Sequence, residues 1–317
     1  MVPSAWVTTA LITTGLVGSD FRIYYRAVHA WLAGGDPWEA GYRVSAHFGA
    51  PPSSLVPLLP FAVLTEDQAV VVWVVLCGLA GTYVLWRLHL GPEWILFPPL
   101  VAGIVSGNPD IPLLALLLSG ASWVPSVAVA LKAYAIVPLL AERRWGAIAV
   151  SAGVVAVTVL AAPGLWVEYV QRFGEISGRL LLESGGGFGA LHWWPLVPPT
   201  VIALLVIARY DLRAAGWLAV PALWPASEWH WSTFALPVMT PWLGMLLTPD
   251  IRGLPAGATW VYAAAVLWHR HRARAQPGHE ILTSEESVSQ VTLGGAAGRS
   301  LSSQGIDAAA ERPPGAR

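Results

Sequence analysis

The sequence is poor in cysteine and in charged residues. It has one cysteine in 317 residues, and Cys77 lies within an apolar run, so neither a disulfide framework nor a cysteine metal site is available. Only 12% of the residues are charged, whereas soluble domains carry about 25%. The formal net charge of -1 also excludes a strongly basic protein that would bind nucleic acid through bulk electrostatics.

Several catalytic motifs are also missing from the sequence. It contains no Walker A loop, no HExxH, no CxxC and no GxSxG. The glycine run at 185–187 is followed by no lysine, so it does not form a phosphate-binding loop. The sequence therefore predicts neither ATP-driven nor zinc-dependent chemistry, no cofactor and no metal site.

Apolar residues make up 55% of the chain, and tryptophan, which favours the membrane–water interface, occurs 18 times. These features predict an all-α integral membrane protein, a polytopic helical bundle of about 10–11 membrane segments. Several segments are shorter than the roughly 20 residues that cross a bilayer, and many contain proline. Interrupted helices of this kind are tolerated where they are buried in protein or line a polar cavity. The apolar stretches cover residues 2–18, 53–65, 68–86, 94–106, 111–124, 126–141, 145–162, 194–208, 212–226, 231–247 and 254–268.

Two polar loops interrupt the apolar segments, near residues 19–52 and 163–193. In the first loop, apolar residues at three- and four-residue spacing from Phe21 to Leu32 predict an amphipathic helix at the membrane surface. The positive-inside rule places Arg143 and Arg144 in the cytoplasm and both loops outside. We therefore predict a membrane domain over 1–272 and a disordered cytoplasmic tail over 273–317.

Polar residues near the predicted outer face are candidates for chemistry, and each has a simpler interpretation. Asp20 follows the first apolar segment and is either a helix cap or a functional carboxylate. Lys132 stands alone in an apolar stretch, where it either reaches the interface or binds an anionic partner. His230, two residues after Glu228, lies between Trp229 and Trp231 and is either part of an interfacial belt or a functional group.

Two further polar residues lie in turn-like sequences. Asp36, in Gly34-Gly35-Asp36-Pro37-Trp38, is typical of a turn or a cap before proline. Asn108, in Gly107-Asn108-Pro109-Asp110, interrupts two apolar runs and is most simply a cap and a turn.

The order of these motifs resembles glycosyltransferase family 87, a family of GT-C-type membrane enzymes that is also catalogued as the DUF2029 domain of unknown function. In order, the motifs are Ser19-Asp20-Phe21 with Tyr24-Tyr25, Gly34-Gly35-Asp36-Pro37-Trp38, Gly107-Asn108, Leu131-Lys132-Ala133-Tyr134, and Pro225 to Trp231. The sequence departs from the family pattern where Trp38 replaces a tyrosine and Ala135 replaces a proline. In addition, Trp229 is one place out of register, and a second histidine is missing.

The resemblance implies a GT-C-like bundle and an inverting hexosyltransferase of the bacterial plasma membrane, with its active site facing outside. The donor would be a polyprenyl-phosphate-linked sugar, with mannose as the expected sugar, and the acceptor a lipid or a glycan; membrane lipids would surround the protein. Asp20 and His230 would be catalytic, and Lys132 would bind the donor phosphate. The resemblance and the sequence together also suggest a set of substrate-binding candidates, which comprises Tyr24, Tyr25, Asp36, Trp38, Asn108 and Glu228.

Two other functions fit the same composition. A transporter or flippase of a lipid-linked sugar would use a similar cavity, but it predicts inverted repeats, and the sequence has no clear internal repeat. A non-catalytic membrane protein would need none of the polar loop residues. The glycosyltransferase hypothesis predicts that Asp20, Lys132 and His230 converge on one site.

Overall fold

The computed structural model describes residues 17–42, 46–182, 187–224 and 227–275. The predicted first apolar segment, 2–18, lies almost entirely outside the described residues, as do Gly185, Gly186 and the tail from residue 276 onward. The contacts between residues divide the chain into two units, of which the first ends at Leu267. In the second unit, the described residues form the end of a helix, in which the guanidinium of Arg272 lies 4.6 Å from the centre of the Trp268 ring.

The described residues are helical and contain no β-strand, which confirms the predicted all-α membrane class. We number the α-helices in chain order: α1 Ser19–Leu32, α2 Glu66–Arg87, α3 Pro98–Ser106, α4 Asp110–Leu117, α5 Val124–Leu131, α6 Ile136–Ala141, α7 Trp145–Ala161, α8 Pro163–Leu182, α9 Val197–Tyr210, α10 Leu212–Leu223, α11 Pro241–Leu247 and α12 Leu254–Ala275. Between them lie 3₁₀ segments at Pro37–Glu39, Pro52–Val63, Pro92–Leu96, Ala133–Ala135, Ala190–His192, Trp194–Leu196 and Trp229–Val238.

Helix α2 is long and apolar enough to cross a membrane. It begins with a capping box, in which the Thr65 hydroxyl accepts a hydrogen bond from the Gln68 amide and the Gln68 side chain accepts one from the Thr65 amide. Its 22 residues span about 33 Å. Val71 and Leu79 on this helix are more than 60% exposed, which suits a surface that faces lipid rather than water.

Helices α3 and α4 form a broken segment with a bend of 112° between them. The break occurs at Gly107, whose φ of 67° lies in the left-handed region that glycine adopts without strain. A side chain at this position would also approach Trp73 and Phe21 closely. The indole of Trp73 donates a hydrogen bond of 2.7 Å to the carbonyl of Gly107, so the irregular backbone is satisfied within the protein.

Few helices have the length of a full membrane span. In the described part of the chain, α2 alone is both long and apolar enough to be such a span, and the bent pairs α3–α4 and α7–α8 would raise the number to three if each were one span. The predicted polar loop at 163–193 contains the 20-residue helix α8, which is bent by 105° relative to α7. The predicted apolar segments therefore correspond mainly to short helices and 3₁₀ segments rather than to straight rods.

Buried side chains form two clusters. One cluster joins α4, α9, α10 and the 3₁₀ segment Trp229–Val238, and the other joins α1, α2 and the 3₁₀ segment Pro52–Val63. The predicted amphipathic helix is confirmed as α1, which buries one face in the second cluster. The buried residues of that face are Phe21, Tyr25, Ala27 and Val28.

An ion-pair network connects α8 to the segment that follows α1. Arg172 on α8 pairs with Asp36 and Glu39, and Arg179 on the same helix pairs with Glu39 and Glu175. The two guanidinium groups of Arg179 and Arg172 lower the pKa of Glu39 from its ordinary value of 4.5. We call this network, Asp36, Glu39, Arg172, Glu175 and Arg179, the arginine clamp.

We predict that replacing Arg172 by Gln lowers the midpoint of thermal unfolding in detergent by about 2 °C near neutral pH. Because the pKa of Glu39 is lower in the folded state, its contribution is present above pH 4.5 and is lost as the pH falls through the folded-state pKa. The difference between the wild type and Arg172→Gln should therefore shrink on acidification. The control is Arg252→Gln, which removes an exposed arginine outside the clamp. A difference that is constant down to about pH 3 would contradict this account.

Candidate active site

Asp20 lies in the first turn of α1, with its carboxylate directed at the break between α3 and α4. The N-cap of α1 is Gly18, and no side chain caps this helix end, so the capping interpretation of Asp20 is wrong. The carboxylate instead accepts a 2.7 Å hydrogen bond from the side-chain amide of Asn108 and a 3.3 Å hydrogen bond from the Ser19 hydroxyl. Asp20 therefore keeps a partly exposed carboxylate beside a buried amide.

Asn108 connects the carboxylate of Asp20 to the rest of the site. It is 4% exposed, and its side-chain oxygen accepts hydrogen bonds from the backbone amide of Asp110 at 2.9 Å and from the ammonium of Lys132 at 3.4 Å. The turn predicted at Asn108 is thus present, and the same side chain also bridges Asp20 and Lys132.

Asp110 is the buried carboxylate on which the other groups converge. Its side chain has no exposed surface, and one oxygen lies 2.9 Å from the ammonium of Lys132. The hydroxyl of Tyr134 donates a hydrogen bond to the same oxygen. The imidazole Nε2 of His230 lies 3.5 Å from the second oxygen. Asp110 therefore holds three groups from two later segments of the chain.

Lys132 lies where α5 ends, in an extended backbone conformation. Its side chain is 11% exposed, and its ammonium lies 5.2 Å from the Trp231 ring centre and 5.7 Å from that of Tyr134. The aromatic faces and the carboxylate stabilise the cation away from bulk water. Lys132 does not reach outward to the interface, so the snorkelling interpretation is wrong.

His230 and Glu228 form the other side of the site. His230 is 6% exposed, which excludes a role restricted to an interfacial belt. Its Nδ1 lies 3.4 Å from a carboxylate oxygen of Glu228. Glu228 lies in the loop before the 3₁₀ segment Trp229–Val238, and desolvation raises the pKa of its carboxyl, against the attraction of His230 and Lys132.

The predicted substrate-binding residues fall into two groups. Tyr24 lies close to the charges of the site: burial raises the pKa of its hydroxyl to about 12, the ammonium of Lys132 opposes this rise, and the carboxylates of Asp110, Asp20 and Glu228 add to it. With Asn108 and Glu228, it belongs to the same polar cluster as Asp20.

The other predicted substrate-binding residues have partners elsewhere. Tyr25 donates a 2.7 Å hydrogen bond to the carbonyl of Leu64. Asp36 accepts a 2.8 Å hydrogen bond from the Trp38 amide and belongs to the arginine clamp, so its interpretation as a cap holds. Trp38 is 1% exposed and stacks on Tyr169. Tyr25, Asp36 and Trp38 therefore make contacts that join parts of the protein to one another.

Asp110 and Tyr134 are site residues that the sequence alone did not reveal. Both occur within the motifs Gly107-Asn108-Pro109-Asp110 and Leu131-Lys132-Ala133-Tyr134. The available signal was an ionisable side chain between two apolar runs, which is costly there unless it is paired. A single acidic residue beside an asparagine–proline turn was overlooked because that turn by itself explains a polar residue.

The cluster also has the geometry of a metal site. Asp20, Glu228 and His230 each offer one ligand atom, and these atoms lie within 4.8 Å of one another. Two carboxylates and an imidazole suit several divalent ions. The same cluster already has a positive charge near it, the ammonium of Lys132, which attracts the Glu228 carboxylate.

Residues 48–181 match the model of glycosyltransferase family 87. The matched stretch contains Asn108, Asp110, Lys132 and Tyr134, whereas Asp20 precedes it and the Glu228–His230 side of the site follows it. No curated protein and no solved structure matches the chain. The match confirms the resemblance found in the sequence: residues 48–181 are similar to glycosyltransferase family 87, which supports a glycosyltransferase.

Proposed function

We propose that the protein is an inverting hexosyltransferase, which moves a sugar from a polyprenyl phosphate to a hydroxyl of a lipid or glycan acceptor. The observation that carries the proposal is the convergence of three predicted residues. Asp20 is joined through Asn108 to Lys132, and Lys132 is joined through Asp110 to His230. A carboxylate and a cation joined through one asparagine side chain are the two charges that this transfer requires.

Asp20 is the proposed general base. Its carboxylate would accept the proton of the acceptor hydroxyl as that oxygen attacks the anomeric carbon of the donor. The bond between the anomeric carbon and the phosphate oxygen breaks on the opposite face, so the configuration inverts. Asn108 would hold the carboxylate in position, since it donates a hydrogen bond to Oδ2, while Oδ1, to which the Ser19 hydroxyl donates at 3.3 Å, would accept the proton of the acceptor.

Lys132 is the proposed partner of the leaving phosphate. Negative charge grows on the phosphate oxygen as the glycosidic bond breaks, and a fixed ammonium in a site with little water stabilises that charge strongly. Asp110 and Tyr134 would orient Lys132 without contacting the donor, so they are positioning residues. His230 would hydrogen-bond the phosphate or assist in proton transfer, with Glu228 as its partner.

The apolar surroundings suit a donor carried by lipid. The exposed surface of α2 is apolar, so an isoprenoid chain could reach the site from the membrane without desolvating polar groups. Three details of the proposal are taken from the family resemblance: mannose as the sugar, a polyprenyl donor, and an outward-facing site in a bacterial plasma membrane. The flippase alternative is tested in the same assay, because a flippase moves the intact donor and releases no polyprenyl phosphate.

Asp20→Asn should lower sugar transfer by at least about 100-fold, because the amide cannot accept the proton. The assay measures radiolabelled mannose transferred from polyprenyl-phosphate-mannose in membranes. The matched control is Asp67→Asn, which neutralises an exposed carboxylate that pairs with Arg22 on α1. Equal transfer by Asp20→Asn and the wild type would disprove the proposed role of Asp20.

A double-mutant cycle separates the contribution of the Asp110–Lys132 pair to stability from its contribution to sugar transfer. Lys132→Met should destabilise the protein by about 3 kcal/mol or more, because it leaves the Asp110 carboxylate buried without its cation. Asp110→Asn combined with Lys132→Met should recover most of that stability and still fail to transfer sugar. Thermal unfolding and transfer would be measured for all four proteins; transfer restored in the double variant would show that the pair is only structural.

We predict that transfer does not need a divalent ion. A metal at Asp20, Glu228 and His230 would lie near the ammonium of Lys132, and two cations in a site of low dielectric repel strongly. Treatment with EDTA should leave the rate unchanged. A loss of activity that added Mn²⁺ restores would contradict this prediction and would assign the three residues to a metal.

A further inference from the structure

A polar cavity of about 420 Å³ lies where several helices end, apart from the candidate active site. It is lined by residues at the C-terminal ends of α2 and α4, by Glu142 and Arg144 before α7, and by Arg213 at the start of α10. None of its lining residues takes part in the hydrogen bonds and ion pairs described for the candidate active site. We call it the arginine cavity.

The arginine cavity carries an excess of positive charge. Its lining includes three arginines, Arg87, Arg144 and Arg213, and one acidic residue, Glu142, so two formal positive charges remain. Glu142 is engaged already, since one oxygen lies 3.0 Å from Arg213 and accepts a 2.9 Å hydrogen bond from the Trp217 indole. It therefore does not neutralise the other two arginines.

Among the described residues that line the arginine cavity, Arg87 is the cation whose side chain remains available. Arg144 donates hydrogen bonds to the carbonyls of Leu117 and Ser119. The last carbonyls of α2 are satisfied by backbone amides, as the amide of Leu88 bonds to Val84. Arg87 is exposed and forms no side-chain hydrogen bond or ion pair with the described residues, so its guanidinium is not needed to complete the helix.

Exposed tryptophans indicate the level of this cavity relative to the membrane surface. Trp86 is 70% exposed, Trp145 62% and Trp123 61%. Trp86 precedes Arg87, Trp145 follows Arg144, and Trp123 ends the loop that begins at Ser119 and Gly120. Indoles concentrate at the level of lipid headgroups, where the ring is apolar and the N–H stays hydrated. The arginines therefore lie at the level at which a membrane presents its phosphates.

We propose that the arginine cavity binds the phosphate of an anionic phospholipid headgroup. A guanidinium fork matches phosphate geometry, and basic pockets between helices on the cytoplasmic side of a membrane recognise anionic headgroups. The same face is predicted to be cytoplasmic from Arg143 and Arg144. The cavity, at about 420 Å³, has the volume for one headgroup. The exposed rings of Trp86 and Trp145, next in sequence to Arg87 and Arg144, would contact the acyl chains.

The competing explanation is that these arginines only stabilise the C-terminal ends of helices. Arg144 does so through Leu117 and Ser119, so a variant of Arg144 would not separate the two explanations. Arg87 does separate them. Its replacement should leave the lipid-free protein about as stable as before and should weaken only the response to anionic lipid.

The experiment uses the full chain purified in a neutral detergent. Dioctanoyl phosphatidylglycerol, dioctanoyl phosphatidylcholine and inorganic phosphate are titrated separately, and binding is followed by native mass spectrometry and by the midpoint of thermal unfolding. The proteins are the wild type, Arg87→Gln, Arg87→Lys and Arg252→Gln, the last of which removes an exposed arginine outside the cavity.

Phosphatidylglycerol should bind and stabilise the wild type more than phosphatidylcholine or phosphate does. Arg87→Gln should weaken that binding about fivefold, as expected for one cation near a headgroup. Arg87→Lys, which keeps the charge without the guanidinium fork, should weaken it less, and Arg252→Gln should leave it unchanged. Equal binding of the two lipids would overturn the proposal, as would an equal loss in Arg252→Gln. Binding of phosphate as strong as that of phosphatidylglycerol would assign the cavity to a soluble anion instead.

Discussion

Asp110 has no exposed surface, and an ionised carboxylate in such a place is stable only among cations and hydrogen-bond donors. Its ion-pair and hydrogen-bond partners come from other parts of the chain. Lys132 and Tyr134 follow α5, and His230 comes from the 3₁₀ segment before α11. The need to pair this carboxylate therefore brings distant segments together and holds the proposed catalytic groups in place. Replacement of Asp110 alone would release all of them.

The break between α3 and α4 makes this arrangement possible. A continuous helix would direct the backbone groups of Gly107 and Asn108 along its own axis. The left-handed conformation of Gly107 instead turns the chain, and the side chains of Trp73 and Asn108 take up the freed backbone groups. Asp110 then starts a new helix, where the positive end of the helix dipole favours its charge. The backbone polar groups that the break frees therefore find hydrogen-bond partners within the protein.

The local sequence pattern predicted the helices and the all-α class, but it did not predict the bends between helices. The amphipathic spacing in α1 and the apolar runs are set by neighbouring residues, so the helices and the all-α class followed from the sequence. The bends of 112° and 105° did not, because they depend on how short helices pack. The helical character of Pro163–Leu182 was also missed, since its charged residues resemble a loop until the arginine clamp supplies their partners.

The candidate site shows the same division between local and distant interactions. Asp20, Lys132 and His230 were selected because each is polar at an apolar boundary, and the structure brings them into one network. Asp36 and Trp38 were selected from a resemblance, yet their partners are structural. Asp36 pairs with Arg172, 136 positions away in the chain, and no local pattern reveals such a partner. Asp110 was missed because the asparagine–proline turn before it already explains a polar residue at that position.

The position of the site along α2 constrains how substrates enter. Trp73 bonds to Gly107, and Cys77 contacts the carbonyl of Asn108 at 3.8 Å, so the break lies beside the middle of this 22-residue helix. That level is about 10–16 Å from Glu66, at one end of the helix. A free sugar nucleotide would have to bring several charges to this depth, whereas a polyprenyl phosphate carries its own apolar anchor and a single phosphate group. The position of Asn108 and Lys132 beside the middle of α2 therefore supports the proposed lipid-linked donor.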